Sequence, residues 1–249
     1  MAAWRAYAKP FPTYFSVDHD EMEIACSGIP VPLINAAYPK HERVLSHSEF
    51  ARLAREFTEI LSERDIPGLL IVRSAQVETR MGIAPLFHMP GMVAGELVLP
   101  TRKLAQVDIR EVRGEAMARE ISQLNAESHG MTTLDAEWMT CAALWEAPAP
   151  NHGFLAYEHG EAAAAGAATF VEGVSYIGWM ATREKYRGRG YAEAILRHMN
   201  GFMRRTYGVT ESVLHATEMG RPLYERVGFR TVDNYSVFLC AETESAAHV

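Results

Sequence analysis

Between an apolar stretch that closes at Thr182 and a helical stripe that opens at Ala192, the chain reads Tyr186-Arg-Gly-Arg-Gly-Tyr-Ala192. Two glycines there let the backbone turn tightly and come close to a ligand. The first amides of the following helix have no carbonyl one turn back to bind, so they point outward. Together with the helix dipole they favour negative charge. Arg187 and Arg189 add charge-assisted donors suited to phosphate oxygens. The segment reads as an anion cradle, against the plain alternative of a basic turn. It lacks the Gly-Lys-Ser/Thr ending of a Walker loop and the third glycine of the dinucleotide fingerprint.

The neighbouring pattern supplies the context. Val107-Asp-Ile-Arg-Glu-Val112 alternates as a half-buried strand, and Met117, Ile121 and Leu124 mark a helix ending near Gly130. Phe154–Tyr157, Ala167–Val171 and Tyr176–Thr182 read as successive strands, split by His159-Gly160 and Glu172-Gly173 turns. The small residues of Glu161–Ala168 read as a tightly packed strand or turn. A long helix carries Ala192, Ile195, Leu196, Met199, Phe202 and Met203 on one stripe and stops at Gly208. Val213–Thr217 reads as a strand, Leu223–Val227 as a short helix, and Tyr235–Cys240 as a last strand. Residues 107–249 thus give β-α-β-β-β-α-β-α-β, an α+β domain of its own.

The first hundred residues hold short strands at Thr13–Val17 and Met22–Cys26. Ser46-His-Ser-Glu49 reads as a capping box, followed by Phe50, Leu53, Phe57, Ile60 and Leu61 along one helical face. Leu69–Val72 is an apolar run of the kind buried on both faces of a sheet. The proline-opened polar stretch Pro100–Gln106 reads as the boundary, and Ala147–Gly153, with two prolines, as a loop.

The segment Met180–Ala192 resembles the acetyl-CoA loop of the GNAT superfamily of N-acetyltransferases. That family's Arg/Gln-x-x-Gly-x-Gly/Ala motif falls on Arg187, Gly190 and Ala192. Leu214–Phe229 resembles the family's closing strand and helix, with its Leu-Tyr-x-x-x-Gly-Phe ending. The resemblance covers roughly 107–243. It implies a GNAT-like mixed central sheet with flanking helices, preceded by a second, smaller α/β half. The expected division is 1–104, a degenerate GNAT-like half without a phosphate loop, and 105–249, the acetyl-CoA-binding domain. Gly28-Ile-Pro-Val-Pro-Leu-Ile-Asn35 carries the faint likeness of the first half to tandem members.

The resemblance also assigns roles. Arg187, Gly188, Arg189, Gly190, Tyr191 and Ala192 would hold the pyrophosphate of acetyl-CoA, the co-substrate. Met180, Ala181 and Thr182 would lie along the pantetheine arm, with an amide near Met180 polarising the thioester carbonyl. Tyr224 falls where the family often has the acid that protonates the departing thiolate. Thr217 stands where asparagine is frequent, and Tyr176 where some members carry a glutamate base. A water chain, or Glu218, His215 or Glu172, is left to act as that base. The implied activity is acetyl transfer from acetyl-CoA directly to an amine. A non-catalytic CoA-binding or regulatory module is the rival, favoured by those two departures.

A net charge of −7 argues against a general nucleic-acid binder. No apolar run approaches the roughly 18 to 20 residues of a membrane span. Three cysteines without CxxC spacing exclude a disulfide framework and fit a reducing cytoplasm. Ten histidines include no HExxH pair, so no metal site is expected. The expected partner is a small-molecule or peptide amine acceptor, with no nucleic acid and no membrane, and a homodimer is an open assembly.

Overall fold

The computed structural model describes residues 1–77, 84–101, 103–132 and 136–241. It divides into two compact units, each a mixed sheet with helices packed on it. One comprises residues 3–89 and 233–249, the other residues 90–232.

In the first unit the strand order is β1 (Phe15–Asp18), β2 (Met22–Cys26), β3 (Asn35–Pro39), β4 (Gly68–Arg73), β11 (Arg230–Cys240). β3 and β4 run parallel, and the other pairs are antiparallel. A parallel pair needs a crossover, which α2 (His47–Ser62) provides; α1 (Ala2–Ala8) opens the chain. The Ser46–Glu49 capping box forms, with the Glu49 amide donating to Ser46 Oγ. Phe50, Leu53, Phe57 and Leu61 are buried with Ile24, Leu70, Val72 and Phe238.

Asn35 ties the Gly28–Asn35 segment together. Its Oδ1 accepts from the Ser27 amide at 2.9 Å, the Ser27 hydroxyl and the Gly28 amide. Its Nδ2 donates to the carbonyls of Ile29, Val31 and Pro67. The segment is thus a loop held by one buried amide.

In the second unit the order is β5 (Phe87–Ala94), β10 (Ser212–His215), β9 (Val174–Thr182), β8 (Glu161–Val171), β7 (Asn151–Glu158), β6 (Asp108–Glu111). Only β9 and β10 are parallel. The helices are α3 (Gly114–His129), α4 (Tyr191–Tyr207) and α5 (Arg221–Arg226). From β6 to β11 the elements follow the expected β-α-β-β-β-α-β-α-β order. The α4 stripe of Ile195, Leu196, Met199 and Met203 packs with Phe154, Ala164, Ala168 and Ile177. Small side chains along β8 let this helix sit close. A Cβ on Gly166 would lie 2.6 Å from Met180 Sδ and 2.9 Å from Ile195 Cγ2.

Sequence and structure differ at the boundary. The reading at 104/105 falls inside the second unit, because β5 pairs with β10 ahead of the polar stretch. Residues 233–249 fall to the first unit, because β11 pairs with β4.

Candidate active site

The site lies where β9 and β10 part. The two strands pair only at Ser212–Ser175, Val213–Tyr176 and Leu214–Ile177. β10 ends at His215 while β9 continues to Thr182, leaving an unpaired strand edge. A bulge marks the separation: the β8–β9 register jumps between Ala165 and Ala167, and Trp179 takes φ +54. A bulky residue in left-handed backbone within a strand is a true outlier. Bulges of this kind bend a strand and re-aim its groups. The Trp179 ring meets Trp138 edge-on at 4.8 Å.

Beyond Thr182 the chain makes a short turn, Glu184–Tyr186, and enters the glycine loop. Gly188 has φ +76 and Gly190 φ +89, conformations that L side chains adopt only under strain. Gly190 is the N-cap of α4 and offers no side-chain acceptor to the first amides. Those amides are therefore disposed to meet an external anion.

Carboxylates hold the loop in place. Glu161 accepts from Arg183 at 2.7 Å, Lys185 at 2.6 Å and the Tyr186 hydroxyl at 2.8 Å. The Lys185 hydrogen bond is the main cause that depresses its carboxyl to about 2. Arg189 lies 3.6 Å from Glu158, which also accepts from the Tyr191 hydroxyl. Arg187 is exposed, and its Nε donates to the Thr182 carbonyl at 3.1 Å. Tyr191 is buried and Ala192 half-buried at the helix start, while Ala181 is buried against β8.

Tyr224 sits on α5, 6% exposed, with its ring edge-on to Phe229. Burial pushes its phenol well above the usual tyrosine range, so it stays protonated at neutral pH. Glu193 in the first turn of α4, 3% exposed, reaches Arg197 at 2.9 Å and Arg226 at 3.7 Å, linking α4 to α5. Thr217 is exposed, and its hydroxyl accepts from the Gly220 amide in the turn that starts α5.

The candidate bases separate. Glu172 is exposed on the β8–β9 turn, at the opposite end of β9 from Met180. Glu218 is exposed beside Thr217. His215 Nδ1 lies 3.3 Å from the Tyr176 hydroxyl, and burial pushes its imidazole down to about 4. One residue escaped the sequence reading. Trp179 had a weak signal, since an isolated Gly178 inside a strand pattern suggests a bulge.

A strand leaves its neighbour at a bulge and runs into a glycine loop at a helix N-terminus, whose free amides favour negative charge. Residues 149–231, which contain every part of this geometry from β7 to Tyr224, match the family described as Acetyltransferase (GNAT) domain. Over that segment the chain is similar to the acetyltransferase domain of the GNAT superfamily.

The fold is similar to that of a GCN5-related N-acetyltransferase from Kribbella flavida, at 14% identity and a TM-score of 0.71. That likeness covers 99% of this chain and 98% of the other. A GCN5-related N-acetyltransferase from Sphaerobacter thermophilus aligns at 18% identity and a TM-score of 0.61, over 88% of this chain and 76% of its own. A tandem GNAT protein from the clavulanic acid biosynthesis pathway aligns at 12% identity and 0.54, over 88% and 77%. No curated protein matches the chain in sequence. Among the described residues no helix is long and apolar enough to cross a membrane.

Proposed function

We propose that this chain is an acetyl-CoA-dependent N-acetyltransferase acting on a primary amine. The observation that carries the reading is the unpaired edge of β9 beyond Ile177, leading into the Gly188–Gly190 loop. A pantetheine arm has amides that an exposed strand edge can pair, and a pyrophosphate suits uncapped helix amides. The donor set fits the group.

Acetyl-CoA supplies an activated acyl group on a thioester. The chain's own residues do the rest. Amides of residues 188–192 bind the pyrophosphate, with Arg187 turning from Thr182 toward it. The Met180 amide, next to the bulge, donates to the thioester oxygen as charge develops there. Tyr224 holds a proton for the departing sulfur.

Among the described residues of 3–89 there is no glycine loop of this kind, and in this reading they serve the acceptor rather than CoA. The expected assay results are heat on titration with acetyl-CoA, a raised melting temperature, and CoA release on adding an amine. A protein with no heat and no thermal shift at millimolar acetyl-CoA would sink the reading. Binding without CoA release across amines would favour the non-catalytic module.

A further inference from the structure

Glu193 is a carboxylate in an unfavourable place. It stands in the first turn of α4, three residues after the N-cap Gly190, and is 3% exposed. A buried charge loses its hydration, and an apolar side chain of similar size would fill the same space without that penalty. Its charge would also oppose a pyrophosphate at the neighbouring amides unless it were neutralised. Two arginines neutralise it. Oε1 accepts from Arg197 Nε at 3.0 Å and Nη2 at 2.9 Å, within α4. Oε2 faces Arg226 Nη2 at 3.7 Å, across to α5.

A helix as short as α5 takes its place from its contacts. It has six residues, and isolated helices below about 12–15 residues are marginal in water. Tyr224 and Val227 are buried in one apolar cluster with Ile195, Met199 and Leu214. Apolar burial is non-directional, so it presses α5 down without fixing its rotation. The pair Arg221–Glu225, at 2.7 Å, lies within the helix. Arg226 reaches outside it. Tyr224 precedes Arg226 by two residues, about half a turn round the helix. A tie on that side therefore sets where Tyr224 faces. The ring also packs on its own element: Phe229 is edge-on at 5.8 Å, and a Cβ on Gly220 would lie 3.0 Å from Tyr224 Cε2. It moves with α5 as one body.

We infer that Glu193 is a positioning residue for the proton donor. Through Arg226 it holds α5 at the rotation that keeps the Tyr224 hydroxyl at the departing sulfur. The inference rests on the function proposed above. One helix turn then serves both ends of the coenzyme: its amides take the phosphates, and its carboxylate sets the acid. Glu193 itself touches no reacting atom.

The test uses the full chain with Arg226→Gln. That side chain is 41% exposed, and its loss leaves Glu193 paired to Arg197, so the fold is kept. Putrescine, tyramine and a dipeptide serve as acceptors, the fastest becoming the probe. The expected result is about a tenfold loss of kcat, the scale of a small misplacement. The acetyl-CoA dissociation constant from calorimetry should stay within about threefold. In a Tyr224→Phe background the same substitution should lower kcat by less than about twofold, because no donor is left to misplace. Arg226→Lys, which keeps the charge on a flexible stem, should return kcat to within about threefold of wild type. Without coenzyme, the amides of α5 should exchange about three- to fivefold faster in Arg226→Gln. Glu193→Gln should repeat the pattern at a lower melting temperature.

Wild-type kcat in Arg226→Gln under chemistry-limited turnover overturns the assignment, as does unchanged exchange in α5. An equal loss with and without the Tyr224 hydroxyl makes the pair a general structural tie and overturns it too. A loss carried by the dissociation constant makes Arg226 a ligand of the coenzyme, which overturns the positioning role. These outcomes leave the acetyltransferase reading intact. A wild type that binds no acetyl-CoA overturns that reading and the inference with it.

Discussion

Tyr224 and Gly190 state the site at the scale of single residues. Burial keeps the Tyr224 phenol protonated; in the proposed reading it is the acid, and Tyr224→Phe removes that donor while keeping the edge contact to Phe229. A positioned acid is worth about 10² to 10⁴ in rate, and a thiolate is a tolerable leaving group. We expect kcat to fall about tenfold to a few hundredfold with KM for acetyl-CoA nearly unchanged, the mark of an interaction made in the transition state. Wild-type kcat under chemistry-limited turnover would make the ring a packing residue. Gly190, at φ +89, answers a different question. Valine there meets a left-handed cost of roughly 1–2 kcal/mol and adds a side chain where, in the proposed reading, the backbone meets pyrophosphate. Calorimetry should show acetyl-CoA affinity weakened at least tenfold while the protein still melts cooperatively. Unchanged affinity would return the loop to a basic turn.

Among elements, the loop after β9 depends on β8 through Glu161. Its folded pKa of about 2 lies below that of an unfolded glutamate, roughly 4.3. The clamp therefore contributes stability above that unfolded value, and the contribution is lost as pH falls toward 2. The melting temperatures of wild type and Glu161→Gln should differ at pH 6 and converge near pH 2; a gap constant with pH would contradict the assignment. Much at this scale was legible in the sequence. The His159-Gly160 and Glu172-Gly173 turns sit at positive φ and mark the ends of β8, and the α4 stripe has the spacing of a buried face. Other elements were hidden for physical reasons. β5 carries Pro90 and Gly91 and β3 ends at Pro39, residues that weaken a strand pattern. The cradle was readable because positive φ demands glycine.

For the whole molecule, the order of the chain and the order of the structure diverge at β11. It follows the site in sequence, and the sequence reading accordingly placed it in a single domain with residues 105–249. Its second half pairs with β4, from Tyr235–Arg73 to Cys240–Gly68. A strand's alternation says which face is buried but not which partner it chooses, so this long-range pairing left no local mark. The consequence is a first unit that cannot be complete until the last strand arrives. Phe238, 5% exposed, meets Phe50 edge-on at 4.6 Å, and Ser236 lies 2.9 Å from Ser74. Cutting the chain after Val232 would strip β4 of a strand and leave Leu70 and Val72 without that cover. Burying a phenylalanine alone is worth about 3–5 kcal/mol on truncation to alanine, a large part of the roughly 5–15 kcal/mol that stabilises a domain. The expected outcome for Phe238→Ala is a lower urea midpoint at an unchanged slope. The chain ending at Val232 should show no cooperative transition from the first unit, followed by the near-ultraviolet circular dichroism of Trp4. A truncated chain that kept the wild-type midpoint would show that residues 3–89 close their core without β11.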